Sequence, residues 1–175
     1  MTFPKPLLLL SFLPLLLLGC KTEKQADTQN EYLRWVGDIE HNETTDEPDF
    51  KICNGDEQIL QYFNLGAGPI FPEEKSTLVE TFESKYEPVK TNDQNGFIRI
   101  RFVVNCEGKA SRFRILQADK DYNEIEFDER ITNQLLEITK GIESWKVMYR
   151  HEIPVDYYFY LIFKIKNGRI TEILP

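Results

Sequence analysis

Apolar and polar residues alternate in two neighbouring segments between Gly96 and Leu116. The apolar set in the first segment consists of Ile98, Ile100, Phe102 and Val104. A short polar stretch that ends in a glycine, Asn105 to Gly108, separates the two segments. Because side chains alternate between the two faces of a β-strand, this pattern predicts a β-hairpin with one apolar and one polar face.

The polar face of the predicted hairpin is rich in arginine. If Asn105 faces Gly108 across the turn, four cross-strand pairs follow. They are Ile98 with Ile115, Ile100 with Phe113, Arg99 with Arg114, and Arg101 with Arg112. A slip by one residue would mix the apolar and charged sets, which favours this register.

Two segments have the spacing of amphipathic helices, with apolar residues every three or four positions. The first has Pro72 in its first turn and ends before Pro88. Its apolar residues are Leu78, Phe82 and Tyr86. The second runs from about Asp128 to Lys140, with Asp128 as its cap and Gly141 at its end. Its apolar residues are Ile131, Leu135, Ile138 and Ile142.

The C-terminal region predicts two further strands. In the first, from Val155 to Lys166, the core-facing residues are Tyr157, Phe159, Leu161, Phe163 and Ile165, whereas Tyr158, Tyr160 and Lys164 face the other way. Asn167-Gly168 is typical of a tight turn, and Arg169 to Leu174 completes a last hairpin. The order of elements predicts an α+β fold over residues 50–175, an antiparallel sheet with two helices packed on one face.

The N-terminus has an apolar run from Leu7 to Leu18 after a single cation, Lys5. A membrane-spanning helix needs roughly 20 apolar residues, so this shorter run predicts a secretory signal over residues 1–19. The sequence Leu17-Leu18-Gly19-Cys20 resembles the lipobox of bacterial lipoprotein signal peptides. That resemblance implies cleavage before Cys20 and attachment of diacylglycerol to its thiol, which anchors the chain to a membrane. The alternative is an ordinary signal peptide that contains a cysteine.

Residues 20–49 are polar and acidic, and they predict a flexible tether between the lipid and the domain. Removal of the signal deletes Lys5 and no acidic residue, so the net charge changes from −8 to −9. A chain this negative is a poor partner for nucleic acid or for anionic lipid surfaces. We therefore expect no nucleic-acid partner.

Two cysteines other than Cys20 are present, Cys53 and Cys106. Export places them in an oxidising compartment, which predicts a disulfide bond between them. His41 and His151 are the histidines that could join them as metal ligands, and the spacing of these residues is not that of a metal site. We expect neither a metal nor a small-molecule cofactor.

The segment from Gly96 to Asn105, followed by Gly108, resembles the first hairpin of the TonB C-terminal domain. The helix over 128–140, Trp145 and the final aromatic strand are similar to the rest of that pattern. The resemblance spans residues 72–166 and is closest to lipid-anchored, TonB-like proteins of Bacteroidetes. The TonB C-terminal domain binds a receptor segment as an added strand, so the resemblance implies binding of a peptide or protein at a sheet edge.

The polar sheet face is the candidate binding site. Its predicted residues are Arg99, Arg101, Arg112, Arg114, Tyr158 and Tyr160. Like charges opposed across strands cost stability, so an anion or stacking on the tyrosines is expected to offset them. One interpretation is a docking face for an acidic or carboxylate-bearing partner. The other is internal: Asp46-Glu47-Pro48-Asp49, brought close by the predicted disulfide, folds over the face.

The sequence carries no nucleophile with an adjacent base and no phosphate-binding glycine loop, so we predict that the chain is not an enzyme. We predict a lipid-anchored adaptor of the cell envelope that binds an envelope protein or peptide. Lys21 does not resemble an inner-membrane retention signal, which favours the outer membrane. The alternative function is a structural, envelope-assembly lipoprotein without a discrete ligand.

Overall fold

The structure is a computed structural model that describes residues 37–65, 75–143 and 145–174. The predictions for the signal at 1–19, for Cys20 and for Pro72 lie outside these residues. The helices are α1 at Lys75–Lys85 and α2 at Glu129–Lys140, with short 3-10 helices at Asp56–Gln58 and Tyr62–Leu65. The strands are β1 Leu60–Gln61, β2 Asn95–Val104, β3 Ala110–Ala118, β4 Met148–Arg150, β5 Ile153–Val155, β6 Tyr157–Lys166 and β7 Arg169–Leu174.

Strands β2 and β6 form the centre of a sheet that has five strands within the described chain. They run antiparallel over their whole length, and β3 is antiparallel to β2 on one side. On the other side of β6, β1 pairs in parallel at its start and β7 pairs antiparallel at its end. Strands β4 and β5 form a separate small hairpin. The prediction of an α+β fold with two helices and a mostly antiparallel sheet is confirmed.

The helices form where the sequence pattern predicts them. The side chain of Asp128 caps α2 by accepting a hydrogen bond from the backbone N–H of Arg130 at 2.9 Å, and so satisfies a helix-terminal donor. Leu78 and Phe82 are the buried residues on the inner face of α1. Tyr86 lies just past the end of α1 and is buried with them.

One continuous core lies between the helices and the sheet. Alternate residues of β2 and β6 point into it, because successive side chains of a strand face opposite sides. The ring centroid of Trp145 lies 4.8 Å from that of Phe102 and 5.4 Å from that of Phe159. The predicted inner residues of the last long strand, from Tyr157 to Ile165, are confirmed as part of this core.

The predicted register of the β2–β3 hairpin is wrong by two residues. Ile98 lies opposite Gln117 and Arg101 lies opposite Arg114, instead of Ile115 and Arg112. Asn105 faces Lys109 instead of Gly108, since its N–H donates to the carbonyl oxygen of Lys109. The turn therefore has three residues rather than two, which accounts for one residue of the shift. A β-bulge at Arg112, whose φ is 57°, contributes the other. A shift of two residues leaves the two faces unchanged, so the separation of apolar and arginine sets holds.

The sheet face away from the helices is covered by residues 37–59. Ile39 and Ile59 are buried there against Val103 and Tyr158. Residues 37–49, which composition predicts to be part of a flexible tether, therefore pack on the sheet, whereas positions 20–36 of that predicted tether lie outside the described residues. Residues 37–49 look like a tether because they are polar, but their contacts are with distant parts of the sheet.

Candidate functional site

The face predicted as a binding site exists as one surface. The structure places all six predicted residues on it: Arg99 and Arg101 from β2, Arg112 and Arg114 from β3, and Tyr158 and Tyr160 from β6. We call this surface the arginine face. We call residues 37–52, which cover much of it, the arm.

The arm begins over the middle of the sheet. The guanidinium of Arg101 donates a hydrogen bond to the carbonyl oxygen of Gly37. Two residues later the Ile39 side chain, 4% exposed, packs with Val103 and Tyr158. The start of the arm therefore satisfies one buried arginine and covers the apolar part of the face.

Asp46 forms the main ion pair between the arm and the sheet. Arg114 Nη1 donates to Asp46 Oδ1 at 2.7 Å, and Arg114 Nη2 donates to Asp46 Oδ2 at 3.0 Å. The same Nη2 donates to the carbonyl oxygen of Glu40 at 2.7 Å. A two-point contact between guanidinium and carboxylate is geometrically specific as well as strong.

The surroundings of Asp46 strongly favour its charged form. Its side chain is 1% exposed, and this burial by itself raises the pKa. Burial is the largest single cause, but hydrogen bonds from Arg114 and from the backbone N–H of Asn42, at 2.8 Å, together with the positive charge of Arg114, outweigh it. His41 Nδ1 also lies 3.1 Å from Asp46 Oδ2. The net result is a pKa of about 2 for the Asp46 carboxyl group.

Arg112 forms a second ion pair beyond the arm. Its Nη1 and Nη2 each donate to an oxygen of Asp56 at 3.1 Å. The Arg112 side chain is 8% exposed, whereas that of Asp56 is 57% exposed. The bulge in β3 therefore places a largely buried guanidinium under a carboxylate that contacts solvent.

Arg99 uses an aromatic partner. Its guanidinium carbon lies 3.8 Å from the centroid of the Tyr160 ring, a cation–π geometry. The pKa of Arg99 is lowered to about 10, chiefly by burial; Tyr160 opposes this shift, and the nearby charge of Arg101 adds to it. Burial and a hydrogen bond with Tyr160 raise the pKa of the Tyr62 hydroxyl to about 12.

In this structure the contacts agree with the internal interpretation, in which the chain's own acidic residues cover the arginine face. The arm and Asp56 supply the oxygen atoms that accept hydrogen bonds from the arginines. Within the acidic stretch predicted to do this, Asp46 makes the contact, whereas Glu47 and Asp49 are exposed. The partner-binding role of the six predicted residues remains a proposal.

The disulfide bond predicted between Cys53 and Cys106 is confirmed. Its Cα atoms are 6.0 Å apart, and it joins the end of the arm to the turn between β2 and β3. Asn105 strengthens this link, since its side-chain amide donates to the carbonyl oxygen of Lys51 at 3.0 Å. The arm is thus fixed to the hairpin at its C-terminal end.

Asp156 is a central residue of this region that sequence reasoning missed. Its carboxylate is fully buried and accepts backbone N–H hydrogen bonds from Cys53 at 3.1 Å, Asn54 at 2.9 Å and Cys106 at 3.0 Å. The side-chain amide of Asn54 adds a further donor at 3.1 Å. A signal was present in the sequence, because Asp156 is an acidic residue between the apolar residues Val155 and Tyr157.

Cys53, Cys106 and Asp156 place three potential ligand atoms within 4.8 Å of one another. In the oxidised chain the two sulfur atoms are bonded to each other, and a metal requires thiolates. The Asp156 oxygens face amide hydrogens. The geometry of this cluster fits a structural clamp between three chain segments.

Comparisons of the chain with protein-family models, with curated proteins and with solved structures give no match. In the part of the chain that the structure describes, no helix is both long and apolar enough to span a membrane.

We expect Asp156→Asn to lower the free energy of unfolding by about 2–3 kcal/mol, because one carboxylate oxygen becomes an NH2 group that faces buried N–H donors. Chemical denaturation with the disulfide intact measures this loss. The matched control is Asp119→Asn, since the Asp119 carboxylate also accepts backbone N–H groups but in an exposed turn. Equal losses in the two variants would contradict the clamp.

The low pKa of Asp46 predicts acid-sensitive stability. The folded pKa is below the ordinary value of 3.8, so the stabilisation is complete above about pH 4 and is lost as pH falls through about 2. At pH 6, wild type should exceed Asp46→Asn by on the order of 2 kcal/mol, and denaturation at lower pH should show the difference shrinking. Asp49→Asn, at an exposed arm position, should show no such change. A difference independent of pH would exclude the Asp46–Arg114 pair as its source.

Proposed function

We propose that this chain is a lipid-anchored adaptor of the cell envelope that binds a protein or peptide partner at the outer edge of β3. The lipid attachment rests on the lipobox resemblance of Leu17 to Cys20. The peptide-binding activity rests on the resemblance to the TonB C-terminal domain, which adds a partner segment as a strand. The Cys53–Cys106 disulfide is compatible with an oxidising envelope compartment.

The proposal rests on a difference in strand pairing between the two sides of the sheet. The outer side of β6 is paired with β1 at one end and with β7 at the other. Within the described residues, the outer side of β3 has one isolated bridge, between Ala118 and Glu124. Most of this nine-residue strand therefore offers backbone groups to an added strand.

The orientation of these backbone groups follows from neighbouring contacts. The carbonyl oxygen of Gln117 faces outwards, since it accepts a hydrogen bond from the N–H of Ile125 at 3.4 Å. Alternation along an antiparallel strand turns the backbone groups of Phe113 and Ile115 to the same side. The carbonyl oxygen of Phe113 also accepts a hydrogen bond from Arg114 Nη1 at 2.9 Å. The side chains of Phe113 and Ile115 pack against the core, which holds the edge in place. Their backbone donors and acceptors point outwards.

The edge is a better candidate than the arginine face for this activity. On the face, the arm and Asp56 already contact Arg101, Arg112 and Arg114. An added strand at β3 needs no such contact to be broken. We further propose that the protein is not an enzyme, has no cofactor and works at the outer membrane.

We predict that Ile115→Pro abolishes recovery of an envelope partner by photo-crosslinking in cells, because proline removes the outward N–H. Proline is tolerated on an edge strand where the N–H does not serve the sheet. The matched control is Ile115→Ala, which loses more of the side chain but keeps the N–H and should recover the same partner. Equal recovery by the folded Ile115→Pro variant would refute the edge as the site.

We predict that the wild-type chain incorporates a fatty-acid analogue during growth and that Cys20→Ala does not, because the thiol is the acceptor of the lipid. Fractionation should show the variant released from membranes. Labelling of both chains, or of neither, would rule out an anchor at Cys20.

A further inference from the structure

Two arginines of adjacent strands oppose each other at the centre of the arginine face. Arg101 and Arg114 are directly paired in the register of β2 and β3. Opposed like charges destabilise a sheet. Arg101 is buried, and the Arg114 side chain is 29% exposed. The two guanidinium groups therefore require oxygen acceptors, which can come from this chain or from a partner.

The arm supplies these oxygen atoms, but among the described residues it makes no backbone–backbone hydrogen bond to the sheet. Its backbone–backbone hydrogen bonds join Thr45 and Asp46 to Asn42, and Phe50 to Glu47, all within the arm. It contacts the face through side chains and single backbone groups. None of the described strand pairings of the sheet involves a residue of the arm.

We infer that the arginine face is a binding site for an acidic, extended segment, and that the arm is an occupant of this site that such a segment can replace. The arm carries six acidic residues and one lysine between positions 37 and 52, so its charge complements the face. This site uses side chains of the sheet face. It is separate from the backbone edge of β3 that the proposed function requires.

The arm also defines the ligand chemistry. An aliphatic side chain, that of Ile39, lies against Val103 and Tyr158. A carboxylate seven positions later, that of Asp46, binds Arg114 at two points. The preferred partner is therefore an acidic segment with an aliphatic residue and, further along, an aspartate or glutamate.

The clamp at the end of the arm limits how far replacement can extend. Cys53 is held by the disulfide and by Asp156, so the chain beyond it stays on the sheet. The Asp56–Arg112 ion pair lies beyond this point and is retained. The face can thus exchange occupants while the fold around the clamp is unchanged.

The experiment uses the purified full chain in detergent with its disulfide intact. The probe is a fluorescent peptide with the sequence of residues 37–52. Asp46→Asn weakens the arm in cis, so we expect the peptide to bind this variant at least about tenfold more tightly than wild type. Ile39→Ala weakens a different contact of the arm and should also increase peptide affinity. With two such variants, the test remains decisive if one of them folds poorly.

Three controls separate this site from non-specific attraction. Asp49→Asn removes a carboxylate at an exposed position of the arm and should leave peptide affinity at the wild-type level. Arg114→Gln added to Asp46→Asn should remove the gain, as should a probe peptide that itself carries Asp46→Asn. The inference is overturned if neither weakened arm gains affinity, or if the gain persists without Arg114. Ile115→Pro should not affect this assay, so failure here is distinguishable from failure of the β3 edge.

Discussion

The buried carboxylate of Asp156 connects three chain segments that are distant in sequence. It accepts amide hydrogens from Cys53 and Asn54, directly after the arm, and from Cys106 in the β2–β3 turn. A buried carboxylate is costly unless donors surround it, so this arrangement requires all three segments to be in place together. The disulfide adds a covalent bond at the same point.

This clamp explains how a polar arm can be part of the fold. The arm has few apolar residues of its own, and its order depends on the sheet beneath it. Once its end is fixed at Cys53, Asp46 lies within reach of Arg114, and the carbonyl oxygen of Gly37 lies within reach of Arg101. The arm in turn offsets the repulsion between the two opposed arginines. The clamp therefore positions the arm over the arginine face, and the arm supplies negative charge to that face.

Local patterns predicted much of this fold. The alternation in β2 and β6, the cap at Asp128 and the pairing of two cysteines depend on short-range spacing or on composition, and each is present in the structure. The hairpin register depended on a turn of three residues and on a bulge at Arg112, which leave no distinct signal in a single sequence. The packing of residues 37–49 depended on one ion pair and on hydrogen bonds with residues more than sixty positions away, so composition alone suggested a tether.

The two binding surfaces differ in what they demand of a partner. The edge of β3 offers backbone groups to any extended segment, whereas the arginine face selects for negative charge. Both surfaces depend on the β2–β3 hairpin, and the clamp fixes the turn of that hairpin. Hydrogen exchange at the amides of Cys53, Asn54 and Cys106 tests the clamp most directly. Slowing by roughly a hundredfold or more relative to an unstructured chain is the predicted result. Exchange at the unstructured rate at all three amides would contradict the account.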